Sequence, residues 1–229
     1  MGRQARVPSG DSVALFRGYA REIRRLPAGK DLHRTQRPRA RPALECKTGS
    51  PAADRDTGTP YVLLLGSSAK HKNVDIVIKE SQALDEAGID VVVAGGASRI
   101  FAAREATAQR SNIHHLGFVG DDELAALYEN AMCLVFPSRT EGFGIPPLEA
   151  MAKGCPVISS NAASLVEVGG DAVVYADPDD AARWRDAIIG LSANQSLRTA
   201  LAAKGRQRAA LFSWRRSAEL YLDEILRSE

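Results

Sequence analysis

From Tyr61 onward, short runs of apolar residues alternate with stretches of helical period, and glycine, proline or polar clusters separate them. "YVLLLG" reads as a buried strand ending in glycine, and "NVDIVIKESQALDEAG" as a helix with a glycine stop. "IDVVVAGG" is the next strand, "SRIFAAREATAQR" a helix and "NIHHLGFV" a strand. "DDELAALYENA" follows as a helix with an acidic N-cap. "MCLVFPS" is a strand, and "PPLEAMAKG" a helix with proline at its start and glycine at its end. "CPVISS" and "AVVY" are further strands, and helical stretches run over Pro178–Leu191, Ser196–Leu211 and Trp214–Leu226. The strands are apolar throughout, not at every second position, so both their faces must be covered. That requires a parallel sheet with helices on each side, a doubly wound α/β domain. Residues 60–229 are enough for one such domain.

Residues 1–59 lack this pattern. Val13 to Leu26 has the spacing of one basic helix, with Val13, Phe16, Ala20 and Ile23 on a common face. "RTQRPRARP" and "TGSPAADRDTGTP" read as disordered linker, so an irregular, largely disordered arm is expected before the domain. Residues 1–60 hold 13 Lys/Arg and 6 Asp/Glu, and the remainder 17 and 22, so a basic arm precedes a mildly acidic domain. A solvated leader is the favoured reading of the arm. An anionic lipid surface is the alternative, and no nucleic-acid partner is expected because no aromatic residues are interleaved with the charges. No apolar run has the length of a membrane span, and the N-terminus lacks the apolar core of a signal peptide. The three cysteines, Cys46, Cys133 and Cys155, are far apart and without metal-ligand spacing, and Cys133 sits in an apolar run that predicts a buried thiol. A reducing, cytoplasmic setting is the expectation.

In an open parallel sheet, ligands bind outside the carboxyl ends of the strands. Three loops there carry suggestive residues. "GSSAKHKN" after the first strand holds Gly66, Ser67, Ser68, Lys70 and Lys72, and Gly95-Gly96 follows the second. "SRTEGFGIPPLEAMAKG" follows "MCLVFP". Its Gly142 and Gly144 let backbone approach a ligand closely, and the helix that starts near Pro146 presents its positive end there. Pro146 and Pro147 have no N–H, so Phe143, Gly144, Ile145 and Leu148 supply the amides. That arrangement suits a diphosphate. Glu149, on the first turn, would be repelled by a diphosphate unless it reaches past it to ribose hydroxyls, and Glu141 could hold a second polyol. The sum is the shape of a nucleotide-sugar. From spacing alone, a glutamate that merely complements the helix dipole accounts for Glu149 as well.

Taken together, "EGFGIPPLEAMAKGCPVI", "GSSAKHKN" and "ALYENAMCLVFPS" resemble the C-terminal domain of family 4 glycosyltransferases of the GT-B fold, and most closely the mannosyl- and rhamnosyl-transferring ones. The resemblance covers about residues 60–228 and is specific, because separated motifs fall in the right order. It implies a Rossmann-like nucleotide-sugar-binding domain. It implies that Glu141 and the Gly142–Ile145 backbone bind the transferred sugar, that Glu149 binds ribose, and that Lys72 neutralises the diphosphate. Lys72 and Glu141 are the catalytic candidates. Gly66, Ser67, Ser68 and Leu148 complete the substrate-binding set. Many relatives carry an arginine where Ser67 and Ser68 stand; Lys70 is either the substitute cation or an exposed loop lysine. Neither a cofactor nor a metal is expected, since no paired aspartates cluster. His114 and His115, consecutive on a strand, face opposite sides and suit packing and surface roles. His71 is less clear.

In this family the acceptor binds a second, N-terminal domain, and 59 residues are too few for one. The last helix points the same way: Trp214, Ala218, Tyr221, Leu222 and Ile225 line one face, and an isolated domain would expose part of it. The expected function is the donor-binding half of a retaining hexosyltransferase, using a nucleoside diphosphate sugar of the GDP-mannose kind. The expected partners are a glycan or lipid-linked acceptor, the latter at the inner membrane face, and a separate N-terminal acceptor domain. Alone, the chain should bind nucleotide and transfer poorly. The rival readings are a non-catalytic nucleotide-sugar-binding module and a sugar-nucleotide epimerase. The Gly-Phe-Gly loop with Glu149 argues against the epimerase.

Overall fold

A computed structural model describes residues 59–67, 69–95 and 111–227. The arm with its 13–26 helix, Ser68, and the helix expected for "SRIFAAREATAQR" lie outside these residues. The strands are β1 (Tyr61–Leu65), β2 (Asp90–Ala94), β3 (Ile113–Gly117), β4 (Cys133–Phe136), β5 (Val157–Ser160) and β6 (Val173–Ala176). They form one sheet in the order β3-β2-β1-β4-β5-β6. Every neighbouring pair is parallel. This is the doubly wound order, whose direction of winding reverses between β1 and β4.

Two apolar layers explain why the strands are apolar at every position. Val62, Leu64, Val91, Val93, Cys133, Val135 and Ile158 pack on one face, and Leu63, Leu134, Phe136 and Val157 on the other. Alternate residues of one strand thus enter different cores. The first face is covered by α1 (Asp75–Ile78), α2 (Ser81–Glu86) and α6 (Ala181–Ser192) through Ile76, Val77, Leu84, Trp184 and Ile188. The second is covered by α3 (Asp121–Asn130), α4 (Ile145–Lys153) and α5 (Ala163–Gly169) through Leu127, Tyr128, Met151, Leu165 and Val168. Helix α7 (Gln195–Ala209) lies against α4 so closely that a Cβ on Gly205 would meet Met151 Cγ at 3.2 Å. Trp184 is wholly buried and donates its indole N–H to the Asp177 carbonyl at 2.8 Å. Cys133 is a buried thiol, as its apolar run predicts, and burial pushes its pKa well up; burial does the same to Cys155, to about 12.

Several boundaries differ from the sequence expectation. The helix expected across "NVDIVIKESQALDEAG" is two short helices, with Lys79 and Glu80 in a turn between them. The N-cap of α3 is Gly120, not an acid; Glu123 Oε2 accepts the Gly120 N–H at 2.9 Å. Asp180 and Asn194 set the starts of α6 and α7 by accepting the N–H groups of Arg183 and Leu197. These side-chain caps, not the apolar periodicity, decide where the helices begin. The last helix, α8 (Trp214–Arg227), carries Trp214 85% and Leu222 59% exposed. No helix among the described residues is long and apolar enough to cross a membrane.

Candidate functional site

The chain after β1 is shaped by close backbone contact. A Cβ on Gly66 would lie 2.7 Å from the Gly95 carbonyl oxygen, so only glycine lets these two loops meet. Ser67 Oγ accepts the Ala69 N–H at 3.2 Å. A 3-10 turn over Lys70–Lys72 ends at Asn73, whose φ of 53° is in the left-handed region that asparagine tolerates best after glycine. The Asn73 amide then donates to the carbonyls of Pro137 (3.3 Å) and Pro178 (2.7 Å). The Arg139 N–H donates to the His71 carbonyl at 2.7 Å. Through these bonds the loops after β1, β4 and β6 form one surface at the carboxyl end of the sheet, over its switch point.

That surface brings Lys72 and Glu141 together. Lys72 Nζ donates to Glu141 Oε1 at 2.7 Å, with the two side chains 28% and 12% exposed. The hydroxyl of the buried Ser138 donates to the same oxygen. Ser164 Oγ holds the Glu141 carbonyl at 2.9 Å. The Lys72 ammonium also lies 5.4 Å from the centre of the Phe136 ring, a cation–π distance. A carboxylate and an ammonium are therefore held, half-buried, where a ligand of the sheet would sit.

Beyond Glu141, Gly142 and Phe143 are exposed and Gly144 is buried with a φ of +101°. Gly144 is the N-cap of α4. In a helix starting at Ile145, the Leu148 N–H is the first donor taken up inside the helix, by the Gly144 carbonyl. With Pro146 and Pro147 lacking N–H groups, the amides of Gly144 and Ile145 lie ahead of that first bond. Any side chain at 144 faces two obstacles: the left-handed backbone, and Leu165 Cδ2 at 2.7 Å from an added Cβ. Gly144→Ala is expected to cost about 1–2 kcal/mol from backbone alone, lowering Tm by about 2–8 °C. Gly142→Ala, with nothing within 4 Å of its added Cβ, is the control and should stay within about 0.5 kcal/mol. Equal melting of the two variants would refute this account of the loop.

Glu149 is the fifth residue of α4, and no acid lies in the first turn. The dipole's effect falls off within that turn, so the dipole-only account of Glu149 loses most of its force. Tyr128 of α3, 2% exposed, donates its hydroxyl to Glu149 Oε2 at 3.4 Å. Burial, and then the Glu149 charge, push the Tyr128 phenol well above its ordinary pKa, so it stays a donor.

Of the residues expected from sequence, Lys72 and Glu141 meet directly, Gly142, Phe143, Gly144 and Ile145 continue the backbone from Glu141, and Gly66 lies against Gly95. Leu148 is half-buried behind them, and Lys70 and His71 are exposed on the turn. His114 is paired with Asp90 across β3 and β2 at 3.0 Å, and His115 is exposed. The pKa of His115 is lowered by desolvation and then by His114. Sequence reasoning missed Asn73, Tyr128, Ser138 and Ser164. Ser138 had a signal, lying three residues before Glu141 in the same loop; Ser164 had none. Among the described residues, no group of three or more His, Cys, Asp or Glu side chains could hold a metal ion.

The sequence matches the family model "Glycosyl transferases group 1" over residues 49–208. It is 45% identical over 102 residues to the O-antigen chain mannosyltransferase B of Escherichia coli, an alignment covering 44% of this chain and 27% of that protein. It is 30% identical over 231 residues to the D-inositol 3-phosphate glycosyltransferase of Xylanimonas cellulosilytica, covering 95% of this chain and 54% of that one. The chain thus spans between about a quarter and a half of the length of these relatives. Among solved structures, the sucrose-phosphate synthase of Thermosynechococcus elongatus superposes with a TM-score of 0.65 at 25% identity, covering 78% of this chain and 46% of that chain.

Proposed function

The chain belongs to the glycosyl transferases group 1 family, and we propose that it is the donor-binding half of a retaining hexosyltransferase. The donor is a nucleoside diphosphate hexose of the GDP-mannose type. The observation that carries this reading is the Lys72–Glu141 pair, held 2.7 Å apart beside the Gly144 cap of α4. Lys72 meets the diphosphate, with the amides of Gly144 and Ile145 beside it. Glu141 and the Gly142–Ile145 backbone hold the sugar hydroxyls, and Glu149 holds the ribose diol. Gly66 lets the loops after β1 and β2 meet, and Ser67, in the loop that leads to Lys72, adds a hydroxyl for the phosphate. The likeness to a relative named a mannosyltransferase supports the choice of hexose. That relative's O-antigen chain name supports a glycan acceptor; a lipid-linked acceptor at the membrane face is the other form of this reading.

In the reaction, the bond from the anomeric carbon to the diphosphate oxygen breaks as the acceptor hydroxyl attacks from the same face. The proton of that hydroxyl passes to the departing diphosphate oxygen. Lys72 acts where negative charge builds, on the leaving group, and so stabilises the transition state more than the ground state. The site's own cation and amides do this without a metal.

Calorimetry with GDP, UDP and dTDP, each with and without EDTA, is the test. Binding of at least one nucleotide, unchanged by EDTA, is expected. No binding to any of the three, or binding abolished by EDTA, would overturn the proposal.

A further inference from the structure

We propose that Phe212, in the turn between α7 and α8, is a positioning residue for the glycine loop of the donor site. The inference rests on the donor-site reading above for its functional consequence, but its geometry stands alone. Phe212 is half-buried and meets Phe143 edge-on, with ring centroids 5.9 Å apart and an interplanar angle of 79°. That is the arrangement the ring quadrupoles favour. The Arg208 guanidinium lies 5.2 Å from the centre of the Phe212 ring. The same guanidinium donates to the Val168 carbonyl at 2.9 Å and to the Glu167 carbonyl, both in the last turn of α5.

The other end of α5 grips the loop as well. Ser164 Oγ donates to the Glu141 carbonyl at 2.9 Å, and Leu165 lies under Gly144. The loop is therefore braced at Glu141 and Gly144 by the start of α5, and at Phe143 by a ring whose cationic neighbour is tied to the end of α5. At Gly142 an added Cβ would meet nothing within 4 Å. Without Phe212, the segment between Glu141 and Gly144 keeps its two anchors and loses the middle one. The Gly144 and Ile145 amides, which must point at a ligand together, are then less well ordered.

The test has two arms. In the ligand-free full chain, hydrogen exchange at the amides of residues 142–145 is compared between wild type, Phe212→Ala and Phe212→Tyr. An edge-to-face pair predicts exchange about 2- to 12-fold faster in Phe212→Ala, with the strand amides unchanged and Phe212→Tyr close to wild type. In the second arm, affinity for GDP-mannose is measured, and Phe212→Ala should bind about 2- to 12-fold more weakly, with Phe212→Tyr restoring it. Unchanged exchange in the loop, or exchange raised equally in the strands, overturns the inference whether or not nucleotide binds. Faster loop exchange with unchanged affinity in a chain that binds overturns the positioning role. If wild type binds no nucleotide, the donor-site reading fails and the positioning role falls with it, while the exchange arm still reports the brace.

Discussion

Lys72→Ala should weaken binding of a nucleoside diphosphate by about 100-fold, and adding Glu141→Gln should recover about a tenfold part of that loss. Two effects combine in the single variant. A charge-assisted hydrogen bond to phosphate disappears, which costs about 1.5–3 kcal/mol. Glu141, 12% exposed, is left with its charge uncompensated beside an incoming dianion. Removing that charge with glutamine removes the second effect and leaves the first. Glu141→Gln alone should leave bare diphosphate binding unchanged or tighter, because Lys72 no longer has a competing partner at 2.7 Å. Titration of all four chains completes a double-mutant cycle. Additive losses, or a Lys72→Ala chain that binds like wild type, would remove the ion pair from the donor site.

Glu149→Ala should weaken nucleotide binding by about 10- to 150-fold, the loss of a hydrogen-bonded charged acceptor for the ribose diol. Its effect on Tm should be small. The residue lies past the first turn of α4, where a carboxylate gains little from the helix dipole. A dipole role at full strength would be worth about 0.3–1 kcal/mol, or up to about 4 °C for a chain of this size. Affinity and melting measured on one sample separate the two. Unchanged affinity with a lowered Tm would show that the second carboxylate of "EGFGIPPLE" serves the helix and not the ligand.

The layered fold was legible because burial on two faces leaves a local signature. A strand such as "CLVF" has no position at which a polar residue escapes to water, and all four of its residues are buried. Helix boundaries were less legible. The starts of α6 and α7 depend on single side-chain acceptors, Asp180 and Asn194, which periodicity does not weigh. The break at Lys79–Glu80 left no mark in the apolar pattern. Geometry explains a glycine in each of two loops: Gly144 needs a positive φ, and Gly66, after β1, needs an absent Cβ.

What the sequence by itself determined is local: which stretches are strands, that both faces of the sheet are covered, and which short loops carry acids, lysines and glycines. What only the tertiary structure decided is which of those loops meet. Lys72 and Glu141 are 69 residues apart, and they touch because β1 and β4 are neighbours at the point where the winding reverses. Asn73 reaches Pro178 across 105 positions, and Arg208 reaches Glu167 and Val168 across a helix pair. Strand order is set by how six twisted strands and their helices share two cores at once. No single segment carries that information, because each strand's apolar run would satisfy any central place in the sheet.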